Sequence, residues 1–215
     1  MKFVLSYSGG KDSILALHKM LEAGHEPVGL LVMVNRELQR SWFHGVDPEL
    51  LREISDSLGI PLILCQSAGN DYDEKMEEGL KRAKERGAEA CAFGDIDIEG
   101  HLLWCRKRCE AAGLECIHPL WQRDREENTE EILSLGYRCL IKCVDNRVLP
   151  KEYLGKPLSR ELVAEMKNRG IDVCGENGEY HTLVVDGPVF RRPVSCVCRE
   201  ILDFGMTSAV NICAG

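Results

Sequence analysis

Short apolar runs alternate with amphipathic segments along the first half of the chain. The apolar runs are typical of strands buried on both faces, and they cover residues 3–5, 27–34, 61–65, 90–93 and 114–117. The segments between them repeat apolar positions every three or four residues, which predicts helices near 14–23, 48–58, 73–86 and 100–112. No hairpin signal interrupts this alternation, so each strand is expected to be followed by a helix.

Strands that alternate with helices require crossover connections, and these are right-handed and give parallel sheets. We therefore predict an α/β fold with a Rossmann-like, doubly wound, mostly parallel five-stranded sheet. Ligands of such sheets bind beyond the carboxyl ends of the strands. Polar residues that follow the strands are accordingly the first place to look for a functional site.

The pattern changes at about residue 122, where a charged connector begins. Asn128 and Glu131 resemble a capping box and predict the start of a helix, and a strand follows at 137–144. A further helix is predicted at 159–169, and short strands at 183–185, 194–199 and 206–212. We predict two domains, a larger α/β domain at 1–123 and a smaller α+β domain at 124–215.

Composition narrows the classes of protein and partner. The 215 residues are 44% hydrophobic and 29% charged, as in globular proteins, and no apolar run approaches the roughly 20 residues of a membrane helix. The N-terminus has no stretch that resembles a secretory signal, so we expect a cytoplasmic protein with no membrane partner. With 27 basic and 35 acidic residues the net charge is −8, which disfavours nucleic acid as a partner.

The chain has eleven cysteines, an unusually high number. In a cytoplasmic protein they are expected to be reduced and to pack mostly as small apolar side chains. No Cys-x-x-Cys pair occurs, so the usual spacing of zinc and iron–sulfur sites is absent.

A polar, glycine-rich turn joins the first predicted strand to the first predicted helix. Its residues are Ser8, Gly9, Gly10, Lys11, Asp12 and Ser13. The backbone N–H groups of such a turn and the positive end of the helix dipole meet at one point, where glycine allows close approach and lysine adds a cation. The turn therefore predicts an anion site, most naturally for phosphate. The alternative is an ordinary turn in which Asp12 or Ser13 only caps the helix.

Two other polar segments lie where a cleft would need them. Gly94, Asp95 and Asp97 follow the fourth predicted strand. The carboxylates of Asp95 and Asp97 could hold Mg²⁺ bridged to pyrophosphate, or the segment could simply cap the next helix. The segment 175–182 reads Gly-Glu-Asn-Gly-Glu-Tyr-His-Thr and brings two acids and a histidine close together. We expect a substrate or catalytic loop there, with a turn at 177–178 as the structural alternative.

The sequence resembles the PP-loop ATP pyrophosphatases, within them the diphthine–ammonia ligase (diphthamide synthase) family. The matching residues are 8–13 (Ser-Gly-Gly-Lys-Asp-Ser), 93–95 (Phe-Gly-Asp), 119–121 (Pro-Leu-Trp) and 175–180 (Gly-Glu-x-Gly-Glu-Tyr). They span nearly the whole chain, and the last is the most specific to this family. The resemblance implies an adenine nucleotide α hydrolase-like domain followed by a smaller domain, as predicted above.

The resemblance also implies an activity. ATP would adenylate a carboxylate with release of pyrophosphate, and ammonia would displace AMP to give an amide. The acceptor would be diphthine, a modified histidine on translation elongation factor two, which would be the protein partner. No glutaminase segment is recognised in the chain, so ammonium would supply the nitrogen. A homodimer is an open alternative to a monomer.

The residues expected to carry this activity fall into four groups. The ATP-binding residues would be Ser8, Gly9, Gly10, Lys11, Asp12, Ser13, Gly94 and Asp95. The catalytic residues would be Lys11, Asp12, Glu176 and Glu179. Mg²⁺ would be held by Asp12 and Asp95. The acceptor would contact Glu176, Asn177, Glu179, His181 and Thr182.

The last loop departs from the family pattern at two positions. Members that amidate diphthine have Glu-Gly-Gly-Glu, then Tyr or Phe, Glu, and Thr or Ser, whereas this chain has Asn177 and His181 in place of the first glycine and the last acid. The Asn-and-His form resembles a branch linked to cobalamin salvage. The same ATP chemistry on a corrinoid or another carboxylate is therefore one alternative. An alternative of another class is a nucleotide-binding sensor without turnover.

Overall fold

Two β-sheets form the scaffold of the protein, which a computed structural model describes for residues 1–42 and 44–215. The first sheet consists of β1 (Lys2–Ser6), β2 (Glu26–Asn35), β3 (Arg40–Ser41), β4 (Leu62–Ser67), β5 (Ala90–Ala92) and β6 (Glu115–Ile117). Its connections contain α1 (Lys11–Glu22), α2 (Pro48–Leu58), α3 (Tyr72–Glu85) and α4 (Glu99–Ala112).

Five strands of the first sheet are parallel, in the order β4-β2-β1-β5-β6. This confirms the predicted α/β fold with a mostly parallel, doubly wound sheet. The sixth strand, β3, pairs antiparallel with the end of β2 and was not predicted. A two-residue strand is too short to produce a periodic pattern in the sequence.

The remainder of the chain builds a smaller antiparallel sheet. Its strands are β7 (Arg138–Asp145), β8 (Tyr180–Asp186), β9 (Cys196–Asp203) and β10 (Thr207–Ala214), in the order β8-β7-β10-β9. Two helices, α5 (Arg125–Ser134) and α6 (Arg160–Asn168), and a 3-10 turn at Lys151–Tyr153 accompany it. These elements form the smaller α+β part that the sequence predicted, and its sheet is antiparallel.

The apolar core lies on both faces of the parallel sheet. One cluster of buried side chains packs around α3 and α4 and includes Leu31, Met76 and Cys105. The other joins α1 and α2 to the antiparallel sheet, so that Leu5 and Val184 belong to the same cluster. Because one core continues across residue 123, the predicted boundary between 123 and 124 stays a prediction.

No helix in the described ranges is long and apolar enough to cross a membrane.

Helix ends mostly follow the local sequence signals. Asp47 caps α2 by accepting a hydrogen bond from the backbone N–H of Leu50, and Gly59 ends that helix in the left-handed conformation. The predicted start of α5 at Asn128 was wrong, because the capping side chain is Asp124, which accepts from the N–H of Glu127. Asn128 lies inside the helix and is buried, so the charged connector already contains the first turn of α5.

The Asp124 cap can be tested by mutation. We expect Asp124→Ala to lower the free energy of unfolding by about 1 kcal/mol, since it removes a hydrogen-bonded N-cap. Glu127→Ala, an exposed change in the same turn, should stay within about 0.5 kcal/mol of the wild type. Urea unfolding followed by circular dichroism measures both, and equal effects of the two variants would contradict the assignment.

Candidate functional site

A cavity of about 450 Å³ opens at the carboxyl ends of β1, β2 and β5, between the parallel sheet and the start of β8. This volume lies within the range of small-molecule sites. Ten of the residues predicted from the sequence line it, namely Ser8, Gly10, Lys11, Asp12, Ser13, Gly94, Asp95, Glu176, His181 and Thr182. Three segments that are far apart in the sequence therefore meet around one space.

Two hydrogen bonds join the polar turn between β1 and α1 to β8. The backbone N–H of Val184 donates to the carbonyl of Gly9 at 2.9 Å, and the N–H of Lys11 donates to Oγ1 of Thr182 at 3.0 Å. Within the turn, Oγ of Ser13 donates to the carbonyl of Gly10 at 2.8 Å. Gly9 lies outside the cavity lining and has φ of 92°, a conformation that suits glycine.

Gly94 allows the end of β5 to approach the start of α1. A Cβ at this position would lie 2.8 Å from the backbone carbon of Asp12 and 2.8 Å from the backbone nitrogen of Ser13. Gly10, the residue that precedes α1, offers no side chain to cap the helix. The N-terminus of α1 is thus left open to an anion in the cavity, which fits the predicted phosphate site.

Lys11 is a buried cation at the base of the cavity. Its Nζ lies 2.7 Å and 2.9 Å from the two carboxylate oxygens of Asp12 and 5.8 Å from the centre of the Tyr180 ring. Burial lowers the pKa of Lys11, but Asp12 opposes that effect, and the pKa is held well above its usual value. Lys11 is therefore permanently charged at neutral pH.

Asp12 also belongs to a group that could hold a metal ion. One ligand atom each of Asp12, Cys174 and Glu176 lies within 4.8 Å of the others. Burial raises the pKa of Cys174 to about 12, so its thiol is neutral and a poor ligand for Mg²⁺. Carboxylates suit Mg²⁺, so Glu176 is the residue that could bind this ion together with Asp12.

Asp95, the other predicted Mg²⁺ ligand, belongs to a different group on the cavity wall. Its Oδ1 lies 3.1 Å from Nδ1 of His101, and its Oδ2 lies 3.9 Å from Nε2 of His118. Among the described residues, the groups with metal-binding spacing do not join Asp12 to Asp95. Asp97, further along the same segment, forms an ion pair with Arg125 at 2.7 Å.

Glu176 has an altered acidity. Burial, followed by the nearby charge of Asp12, raises the pKa of this carboxyl group to about 7. Glu176 therefore exchanges its proton near neutral pH, which suits a group that takes part in proton transfer or that ionises when a cation binds.

Two imidazoles, those of His44 and His181, also line the cavity beside the polar turn. The rings of His44 and His181 are 5.2 Å apart, and Nδ1 of His44 lies 2.8 Å from the carbonyl oxygen of Thr182. Burial lowers the pKa of His181, and burial with the proximity of His181 lowers that of His44 to about 3. Both rings are therefore neutral near pH 7, and His181 can accept a proton.

Asn177 and Glu179 are not brought to the cavity. The carboxylate of Glu179 accepts hydrogen bonds from the backbone N–H of Asn177 at 3.1 Å and from its side chain at 3.0 Å. The N–H of Gly178 donates to the carbonyl of Gly175, so the loop contains a turn, but the strand paired with β8 is β7 and no hairpin forms here. Both side chains shape the loop, and their predicted catalytic and substrate roles stay predictions without a supporting contact.

The opposite wall of the cavity is apolar and aromatic, and sequence analysis missed it. Its members include Met33, Trp42, Tyr72, Met76, Ile98 and Trp104. The ring of Tyr72 lies 5.7 Å from that of Trp42 and 6.0 Å from that of Trp104. Apart from Tyr72 and Met76, which both lie on α3, these residues come from separate segments and share no motif, so no local signal could have grouped them. An apolar wall and a phosphate-type turn in one cavity suit the two parts of a nucleotide.

Comparisons with known proteins agree over most of the chain. A family model described as the diphthamide synthase N-terminal domain matches residues 1–116, and one described as the diphthamide synthase C-terminal domain matches residues 124–212. A relative from Bos taurus named diphthine–ammonia ligase is 26% identical and covers 94% of this chain and 85% of its own length. A relative of the same name from Danio rerio is 28% identical and covers 90% of this chain and 86% of its own length.

A solved structure also matches this chain, at lower similarity. It is described as a predicted subunit of tRNA methyltransferase from Methanocaldococcus jannaschii. It covers 90% of this chain and 100% of its own, with a TM-score of 0.45 and 15% sequence identity.

The acidity of Glu176 yields a prediction for the protein without nucleotide. We expect one glutamate carboxyl signal to titrate at about pH 7 in carbon-13 NMR spectra, well above the usual value near 4.3. Glu176→Gln should remove this signal, whereas the exposed change Glu126→Gln should leave it. A signal near pH 7 that persists in Glu176→Gln would assign the shift to another group.

The same shift has a consequence for stability. A raised pKa means that the folded state holds the proton more tightly than the unfolded state, so ionisation of Glu176 costs stability. The free energy of unfolding of the wild type should therefore fall, relative to Glu176→Gln, as the pH rises from about 4.5 to about 7. Urea titrations at several pH values measure this difference.

Proposed function

The chain belongs to the diphthamide synthase family, and from this membership we propose that it is an ATP-dependent ligase that converts diphthine to its amide with ammonia. The relatives named diphthine–ammonia ligase support the same activity. The acceptor would be the diphthine carboxylate on translation elongation factor two, and the products would be the amide, AMP and pyrophosphate.

The observation that carries this proposal is the cavity in which the polar turn, Asp95 and Glu176 meet. A carboxylate oxygen of the acceptor would attack the α-phosphorus of ATP, and the bond to the pyrophosphate group would break. Ammonia would then attack the acyl carbon, and AMP would leave. Both steps expel an anion, so the site needs positive charge and N–H donors where that anion develops.

The polar turn and Lys11 would meet this need. Lys11 keeps its charge despite burial, and the open N-terminus of α1 adds a fixed dipole of the same sign. Asp12 cancels part of the charge of Lys11 when the site is empty. If Asp12 and Glu176 bound Mg²⁺, the ion would neutralise both carboxylates. The site would then repel the polyphosphate less. When bound there, Mg²⁺ would supply a second centre of positive charge for the leaving group.

Ammonium must lose a proton before its nitrogen can attack. His181 lines the cavity with a lowered pKa and is therefore a neutral base at pH 7. Glu176 would be engaged by Mg²⁺ in the loaded site, so we assign the proton from ammonium to His181.

His181 also favours a second candidate, the same chemistry on another carboxylate such as a corrinoid acid. Diphthine carries a quaternary ammonium group, which an acidic side chain attracts. This chain has a neutral imidazole at the position where diphthine-amidating members have that acid. The choice of acceptor therefore depends on the segment 176–182, whereas the ATP chemistry depends on the turn.

The acceptor can be identified directly. The purified protein is incubated with ATP, Mg²⁺, ammonium and elongation factor two that carries diphthine, and AMP, pyrophosphate and the amide are followed. We expect AMP and amide in equal amounts, and none with the factor that lacks diphthine. AMP formed only with a corrinoid acid would select the second candidate, and ADP would contradict this type of ligase. No nucleotide product with any acceptor would favour a nucleotide-binding sensor.

The role of Lys11 can be tested in the same assay. We expect Lys11→Met to lower kcat by about 100- to 1000-fold, because it removes a positive charge that acts on the leaving pyrophosphate. Lys19→Met, also on α1 but paired with Glu131 away from the cavity, should retain activity and is the matched control. Circular dichroism confirms that both variants fold. Wild-type activity in folded Lys11→Met would overturn the role.

A further inference from the structure

Three side chains with metal-binding atoms meet beside the cavity, at the ends of β5 and β6. Asp95 follows β5, Cys105 lies on α4 and His118 follows β6. One potential ligand atom of each lies within 4.8 Å of the other two. The three residues come from separate segments, which is why no spacing motif in the sequence indicates them.

The distances and burial show that this group is enclosed. Oδ2 of Asp95 lies 3.8 Å from Sγ of Cys105 and 3.9 Å from Nε2 of His118. The side chain of His118 is only 3% exposed, and Cys105 is equally buried. Nε2 of His118 has no hydrogen-bond partner among the residues that the structure describes. A buried ring nitrogen without a partner costs free energy, and it points towards the other two ligand atoms.

The surroundings of His118 fix which nitrogen is presented. Its ring stacks on Phe93 with centroids 5.2 Å apart and contacts Trp121 edge-on at 5.9 Å, so it cannot turn freely. The other nitrogen, Nδ1, lies 3.8 Å from Sγ of Cys116. When Nδ1–H donates to this sulfur, Nε2 carries a free lone pair. Metal-binding histidines commonly use their second nitrogen in this way.

We propose that Asp95, Cys105 and His118 form a binding site for a divalent transition metal, with Zn²⁺ as the ion that suits them best. Thiolate, imidazole and carboxylate are all zinc ligands, whereas sulfur and nitrogen ligands do not suit Mg²⁺. In a tetrahedral zinc site with usual bond lengths the ligand atoms lie about 3.3–3.7 Å apart. The distances from Asp95 to its two partners exceed this by only a few tenths of an ångström.

A fourth ligand is also at hand. His101 lies one helical turn before Cys105 on α4, so the two side chains share a face of that helix. Nδ1 of His101 is 3.1 Å from Oδ1 of Asp95, and its side chain is exposed and free to turn. Asp95, His101 and Cys105 all line the cavity, so the ion would lie in its wall.

The same residues can also form an ordinary contact between Asp95 and His118 beside the thiol of Cys105. A bound metal ion deprotonates a coordinating thiol. Zinc binding should therefore release a proton into the medium, and a surface carboxylate site would not.

The test is a metal titration of the full chain after removal of metals with a chelator. We expect one equivalent of Co²⁺ to bind with the thiolate charge-transfer band and intense visible bands of a tetrahedral site, and Zn²⁺ to displace it. Excess Mg²⁺ should not displace it. Absence of binding, or a spectrum without the thiolate band, would overturn the proposal.

Variants assign the ligands. Cys105→Ser and His118→Gln should each weaken zinc binding by at least about 100-fold, and Cys116→Ser by about 10-fold, as expected when a ligand loses its outer-shell partner. Cys198→Ser removes an exposed cysteine elsewhere and should bind zinc like the wild type. Equal zinc affinity in all four variants would overturn the site.

A measurement on the wild type identifies the ligands even if the variants do not fold. X-ray absorption of the zinc-loaded protein should show one sulfur and two or three nitrogen or oxygen ligands. Two or more sulfur ligands would overturn the proposal, because the proposed site contains one cysteine, Cys105. None of these measurements depends on ATP or on an acceptor, so the zinc site and the proposed ligase activity can fail separately.

Discussion

The attachment of the polar turn to β8 is the constraint on which the site depends. Hydrogen bonds from Val184 to Gly9 and from Lys11 to Thr182 join the first βα connection to the antiparallel sheet. The turn lines the cavity with Lys11, and β8 lines it with His181 and Thr182. Neither part forms the cavity alone, so the two halves of the chain act as one structure although their sheets differ in type.

Burial and neighbouring charges determine the pKa values of the titratable groups where the polar turn meets the antiparallel sheet. Lys11 remains charged because Asp12 lies against it, whereas Glu176 is protonated up to about pH 7 because it is buried beside the same carboxylate. The polyphosphate site that we propose must limit its negative charge. One acid, Asp12, is paired with a lysine, and the second, Glu176, is partly neutral at neutral pH.

The sequence predicted those features that depend on local patterns. The alternation of apolar runs and amphipathic helices indicated the parallel sheet, and the turn at 8–13 and the segment at 175–182 indicated the residues that meet at the cavity. Features that depend on contacts between distant segments were not predictable. Trp42, Tyr72 and Trp104 form part of one wall although they lie far apart in the sequence. The orientation of Glu179 away from the cavity likewise depends on its hydrogen bonds to Asn177.

The two glycines that border the turn constrain the evolution of this family in different ways. A side chain at position 94 would collide with the backbone of Asp12 and Ser13, and backbone at a helix start cannot move aside. At position 10 the obstacle is the ring of His44, with Cε1 2.8 Å from the added Cβ, and a side chain can rotate or be exchanged. Relatives that keep this helix start should therefore always keep glycine at position 94, whereas a larger residue at position 10 should occur only together with a smaller one at position 44.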